Sequence, residues 1–285
     1  MAIITISRGC FSHGKEIAER VAKRLGYRCI GRETVLTEAS KFFNVEELTL
    51  AKSLHNAPSI LERMRGGKKK YLDYIKASLL ELAKEDNLVY HGHAGHFLLP
   101  NLKNILKVRI IADLEERIRF FMESRQRSRE LAKGFIKQED SERERWTRYL
   151  YGVDISDPTL YDLVVHIAKL RIEDAVELIA NTALFENVRS TEKELSILKD
   201  EALAMKTKLM IEGICGVEEV RANNGIVYIK CKSQRVKKTT FSSSEYQKRV
   251  IESIKDDTIR SIEEIVYKFP EVKEVICEIE DPYYV

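Results

Sequence analysis

Ala2-Ile3-Ile4-Thr5-Ile6-Ser7-Arg8-Gly9-Cys10-Phe11-Ser12-His13-Gly14-Lys15-Glu16-Ile17-Ala18 is the stretch from which the rest of the chain is read. Ala2 to Ile6 is a short apolar strand, Ser7 to Gly14 a glycine-punctuated turn, and Lys15 to Leu25 a helix. Ile17, Ala18, Val21, Ala22 and Leu25 recur at helical spacing along that last segment. Gly9, four residues, then Gly14-Lys15 gives the pattern GxxxxGK. In such a loop the backbone N–H groups point inward and the next helix adds its positive end, which suits a polyphosphate. Gly9, Cys10, Phe11, Ser12, His13, Gly14, Lys15 and Glu16 are therefore the candidate binding residues, with Lys15 reaching bridging and terminal phosphates. The same residues also fit a tight strand-to-helix turn with a solvent-exposed lysine. Glu16 stands where a Ser or Thr hydroxyl normally meets Mg²⁺. A carboxylate can rest at the helix start, favoured by the dipole, which leaves Mg²⁺ to phosphates, water and another carboxylate.

Outward from this unit, Gly26 ends the first helix and Tyr27 to Ile30 is a second short strand. Arg32 to Phe43 resumes a helical pattern. Asn44 to Lys70 is a polar excursion, interrupted by Pro58 and Gly66-Gly67, with Lys68 to Lys70 at a loop edge. Tyr71 to Ala83 is an amphipathic helix, Asn87 to His91 a buried strand, and Gly92-His93-Ala94-Gly95 a turn. Ile105 to Ile111 gives the fourth strand, and Leu114 to Met122 opens a basic helical stretch that continues to Tyr149. Tyr161 to His166 contains the fifth strand and Ile172 to Ala183 the next helix. Five short strands alternating with helices predict an open parallel sheet in three layers, with ligands gathered beyond the carboxyl ends of the strands.

The chain has 285 residues, of which 44% are hydrophobic and 33% charged, so general disorder is excluded. The net charge of +3 gives no reason to expect nucleic-acid binding, and no charge-free stretch is long enough for a membrane helix. Met1 to Arg8 is not a basic leader followed by an apolar core. The five cysteines, Cys10, Cys29, Cys215, Cys231 and Cys277, form no CxxC pair and suit a reducing cytoplasm. Up to Ser190 there are 32 basic and 27 acidic residues; from Thr191 onward there are 16 and 18. This step in charge predicts one unit over 1–190 and a second over 195–285.

Together with Gly9 to Lys15, Ile4-Thr5-Ile6-Ser7-Arg8 and Lys15-Glu16-Ile17-Ala18 resemble the cytidylate-kinase-like family of P-loop proteins, a resemblance that runs to about residue 183. Gly31-Arg32-Glu33, Gly92-His93-Ala94-Gly95, Ala112-Asp113-Leu114-Glu115-Glu116-Arg117, Asp140, Arg143 and Tyr161-Asp162-Leu163-Val164 extend it. The resemblance implies transfer of the γ-phosphoryl of ATP, with Mg²⁺, to CMP, dCMP or a related small acceptor. By position it implies catalytic roles for Lys15, Arg117, Arg143 and Asp140, the last orienting an arginine or a metal-bound water. It places Arg32, His93, Arg125 and Arg129 on the substrates. Phosphoryl transfer asks for alignment and positive charge, which the planar fork of arginine supplies. Lys103 to Arg148 carries 13 basic and 9 acidic residues, so these arginines can equally be solvated or paired with neighbouring glutamates.

His93 replaces the family's arginine and cannot supply its permanent charge. His91, His93 and His96 are close in sequence but carry no standard metal-ligand signature, so turn or cleft histidines are expected and no metal site is predicted. Beyond residue 195 the order α-β-β-α-β, with Gly225 to Ile229 and Pro270 to Val275, is similar to a BON domain. That unit is open to ligand sensing, homo-oligomerisation, covering the cleft or a plain structural role. Besides a kinase, the chain can be read as a nucleotide-binding regulator with little turnover, or as an interaction protein that keeps only the fold.

Overall fold

The computed structural model describes residues 2–55, 67–92, 95–232 and 244–280. The chain divides into two compact units, Met1–Leu195 and Ser196–Val285. In the first, β1 (Ile3–Arg8), β2 (Arg28–Gly31), β3 (Leu88–His91), β4 (Ile105–Ala112) and β5 (Leu163–Ile167) form one sheet of order β2-β3-β1-β4-β5. Every pairing in it is parallel. Between the strands run α1 (Gly14–Leu25), α2 (Arg32–Phe43), α3 (Glu47–His55), α4 (Gly67–Ala83), the short α5 (Gly95–Leu98), α6 (Leu114–Arg125) and α7 (Arg129–Tyr151), with α8 (Ile172–Ala183) after β5.

The central strand explains the layering. Successive side chains of a strand point to opposite faces. Ile4 and Ile6 pack with Ile17, Ala18 and Val21 of α1 and with Ala175, Val176 and Ile179 of α8. Ile3 and Thr5 point the other way and are equally buried. A strand covered on both faces must be apolar throughout, and β1 sits where its sequence allows it. Because β2 and β3 lie on one side of β1 and β4 and β5 on the other, the chain changes direction there. The crevice beyond the carboxyl end of β1 is the switch point of the sheet.

The open parallel sheet and the small α/β unit expected from the sequence are both present. Lys68 to Lys70 are the one clear correction, since they lie in the first turn of α4 and not in a loop. Lysine is a good helix former, and the helix starts at Gly67 instead of being broken by it. Pro58 and the remainder of that excursion over 56–66 lie outside the described residues.

α9 (Glu192–Ile211) begins four residues before the second unit and leads, within it, into β6 (Gly216–Asn223), β7 (Ile226–Lys232), α10 (Ser244–Val266) and β8 (Glu274–Glu280). β6 pairs antiparallel with β7, and β7 parallel with β8. Val227, Ile229 and Cys231 alternate inward to meet Ile262, Val266 and Phe269. Asn224 and Gly225 turn the hairpin with φ of 50° and 87°, the positive values that a two-residue hairpin turn requires. A Cβ at Gly225 would stand 2.6 Å from the Glu271 carbonyl oxygen. Gly225→Ala is therefore expected to destabilise this unit by about 2 kcal/mol. Urea melts of the full chain, read by hydrogen exchange within 216–232, check this; unchanged protection would contradict it.

Candidate active site

The loop after β1 is bent by residues that pay for unusual backbone geometry with packing. Phe11 and His13 both adopt left-handed φ, 57° and 60°, which costs an L-residue roughly 1–2 kcal/mol each. The Phe11 ring sits 4.7 Å from Phe121 and within about 6 Å of Phe120 and Phe135, centroid to centroid. The His13 ring stacks on Phe120 at 4.2 Å. Ser12 is fully buried and donates from Oγ to the Gly9 carbonyl at 2.9 Å. The loop is thus tied from inside by Ser12 and from outside by an aromatic cluster on α6 and α7. Gly14 then opens α1, placing the helix's positive end at the loop.

Arg117 of α6 reaches back over this loop. Its Nε donates to the Cys10 carbonyl at 2.8 Å, while Nη1 and Nη2 meet the two carboxylate oxygens of Asp140 at 2.8 Å each. This bidentate geometry is the strong form of an arginine–carboxylate pair. Asp140 thus faces Arg117 with both of its carboxylate oxygens. Arg143, one turn further along α7, donates to the Arg8 carbonyl at 3.0 Å and has Glu139 at 3.5 Å. Arg117, Asp140, Arg143 and the loop are brought together, around a cavity of about 300 Å³ that Arg8 and Arg109 also line.

The other expected site residues fall differently. Lys15 is 65% exposed with Nζ 3.7 Å from Glu19, and Glu16 turns along the helix to Arg20 at 2.5 Å. Arg32 begins α2 beside Glu33, on the β2–β3 side of the crevice. Arg129 pairs with Glu115 at 2.6 Å. Arg125 is exposed at the end of α6. His93 lies outside the described residues. Arg8 and Arg109 are the residues that sequence reasoning missed. Arg8 carries a usable signal, because it is the last residue of the central strand and directly precedes Gly9. Arg109 carries none, since its donation to the Ile155 carbonyl and Tyr161 hydroxyl is purely tertiary.

A second cavity, of about 880 Å³, opens beside His13 and extends past Asp113 and Glu116 to Ile167, Arg171 and Ile172. Among the described residues no group of three or more His, Cys, Asp or Glu side chains is arranged to hold a metal ion. The carboxylates that line this cavity are paired with cationic or imidazole neighbours: Asp113 with His166, Glu115 with Arg129, and Glu116 with Arg119 and His13.

An open α/β sheet with a phosphate loop at its switch point and arginines closing over it defines a P-loop kinase-like phosphotransferase fold. The model of the cytidylate kinase-like family matches residues 3–169, and the chain belongs to that family. Among proteins of known name it is similar to the cytidylate kinase of Sulfolobus acidocaldarius, 27% identical over 189 residues that make up 66% of this chain and 97% of that protein. It is similar too to the cytidylate kinase of Archaeoglobus fulgidus, 28% identical over 196 residues, 67% of this chain and 99% of that protein. The crystal structure of an uncharacterized protein from Eubacterium ventriosum has the same fold, with a TM-score of 0.52 at 17% identity, covering 64% of this chain and 98% of that one. No helix among the described residues is long and apolar enough to cross a membrane.

Two buried histidines near the strand ends make the crevice sensitive to acid. Burial, and then the nearby Arg8, push His91 down to about 4. Burial, followed by Lys107 and Arg109, does the same to His96. Unfolded histidine titrates near 6.5, so between about pH 4 and 6.5 the unfolded chain binds more protons than the folded one. Stability therefore falls as pH drops through that window. Urea melts at pH 7 and 4.5 should show wild type losing about 5 kcal/mol more than a His91→Gln, His96→Gln double variant. Equal losses would contradict burial of neutral imidazoles.

Proposed function

We propose that the chain is an ATP-dependent phosphotransferase that moves the γ-phosphoryl group to CMP, dCMP or a related small acceptor. The observation that carries this reading is the convergence of the GxxxxGK loop with the Arg117–Asp140 pair and Arg143 at one end of the sheet. Amides of the loop and the start of α1 would bind the phosphates, while the 880 Å³ cavity has room for a nucleoside beside His13. Mg²⁺, when bound, would neutralise phosphate charge and help align the transferring group. Phosphates and water would hold it for the most part, with one carboxylate, Asp113, acting through water. Lys15 would turn from Glu19 toward the phosphates, and Arg117 and Arg143 would meet charge that develops on transfer. Holding Arg117 in place beforehand spares reorganisation at the moment of reaction. Arg32 would face the acceptor, together with His93, and Arg125 and Arg129 would close from the α6–α7 side.

Family membership supports ATP and Mg²⁺ as the donor system, and the similarity to cytidylate kinases supports a pyrimidine nucleotide as acceptor. A nucleotide-binding regulator with little turnover is favoured by one observation, the exposed Lys15 held toward Glu19. The unit beyond Leu195, similar to a BON domain, is assigned an accessory role, in ligand sensing or homo-oligomerisation.

The deciding experiment supplies purified protein with Mg-ATP and a panel of nucleoside monophosphates, and follows ADP and the phosphorylated product. Acceptor-dependent ADP formation is expected, lowered about 100-fold or more in Lys15→Ala. Binding of ATP without transfer to any acceptor would favour the regulator, and absence of binding would refute both nucleotide readings.

A further inference from the structure

Arg8 is the last residue of β1; besides lining the 300 Å³ cavity, it lies in the electrostatic field of Arg32 and Glu33 after β2 and of Tyr90 on β3. Its side chain runs against Gly14: a Cβ there would stand 2.7 Å from the Cβ of Arg8 and closer still to its Cδ. Glycine at the start of α1 is thus what lets Arg8 pass from the central strand toward the acceptor half of the crevice. There the guanidinium comes into the field of Arg143 from α7 and of Arg32 from α2, with Glu33 as the facing carboxylate. Its Nε is buried and meets no hydrogen-bond partner among the described residues.

Holding a guanidinium in this way is costly unless an opposite charge offsets it. Burial and the neighbouring Arg143 and Arg32 all work against the charge on Arg8, and Glu33 only partly offsets them. A buried guanidinium with an unused donor, set near two other arginines beside a phosphate loop, is what an anion of two or more charges would satisfy. Of the other carboxylates nearby, Asp140 is engaged with Arg117 and Glu144 with Arg148 at 2.9 Å, while Glu139 lies 3.5 Å from Arg143. Arg143 adds a mechanical link, since it donates to the Arg8 carbonyl and so joins α7 to the strand end.

We propose that Arg8 is an anion-binding residue of this site, holding a phosphoryl group on the acceptor side between Arg32 and Arg143. The ligand class is a small phosphate monoester or the phosphate ion that mimics it. Arg8 would supply, from the end of the central strand, permanent charge that His93 cannot. This inference rests on the phosphotransferase reading for its role in transfer, but the binding site can be tested without turnover.

The full chain is saturated with a non-hydrolysable Mg-ATP analogue, which fills the loop, and titrated calorimetrically with inorganic phosphate. Arg8→Gln should weaken phosphate binding about tenfold or more while leaving the analogue's affinity within about twofold. Arg8→Lys keeps the charge without the fork and should fall between Gln and wild type; it also decides the matter if Arg8→Gln does not fold. Wild type that binds no phosphate beside the analogue, or a folded Arg8 variant that binds it as wild type does, would overturn the assignment. A protein that transfers phosphoryl to no acceptor yet shows the Arg8-dependent titration would refute the reaction and leave the site standing.

Discussion

Arg117 leaves α6, donates to the Cys10 carbonyl and grips both oxygens of Asp140 on α7 at 2.8 Å. Three separate segments are fixed by this one guanidinium: the loop after β1, the helix after β4, and the long helix that follows. The Arg117 side chain is 11% exposed and that of Asp140 39%, so the pair works in a partly dry environment where its geometry matters more than at an open surface. Without it the strained loop would lose its one bidentate tie and depend on Ser12, the aromatic cluster and the Arg143 bond to the Arg8 carbonyl. Charge and conformation are therefore solved together, because the residue that restrains the loop also brings a guanidinium to its rim.

Charge around the crevice is distributed unevenly. Lys15 and Glu16, the residues that the loop motif brings first to attention, turn along α1 toward Glu19 and Arg20. The inward-facing charge comes instead from Arg8, Arg117 and Arg143, contributed by β1, α6 and α7. His91, on the neighbouring strand, stays neutral because it is buried and close to Arg8. A crevice assembled in this way depends on the packing of α7 against the loop as much as on the loop itself. Cys10, buried against Ile136 and Asp140, belongs to that packing: burial and the adjacent carboxylate push its thiol up, away from reactivity.

Much of the first unit was legible in the chain because its signals are local. Apolar runs marked β1, β3 and β4, and helical spacing marked α1, α2 and α8, with the ends of α2 and α8 falling where the pattern placed them. The loop motif was legible too, since it needs only seven consecutive residues. The arginines were harder to read. Lys103 to Arg148 offers many cations, and nothing in their spacing separates Arg117, which crosses to Cys10, from Arg129, which pairs with Glu115. Arg8 is marked only by its place at the end of the central strand, outside the glycine pattern that follows it.

The sequence by itself determined the alternation of strands and helices, the position of the phosphate loop at the first strand-to-helix turn, and the change of pattern that begins the second unit. These follow from periodicity, glycine placement and composition, all properties of neighbours along the chain. Only the tertiary structure decided the strand order, and with it the crevice at β1. It also decided which arginine meets which carboxylate, and that Gly14 gives Arg8 its passage. Those outcomes join residues far apart along the chain, 135 positions for Arg143 and Arg8 and 153 for Arg20 and Glu173. Distance in space, set by how the helices pack on the sheet, selects among charges that look equivalent along the chain.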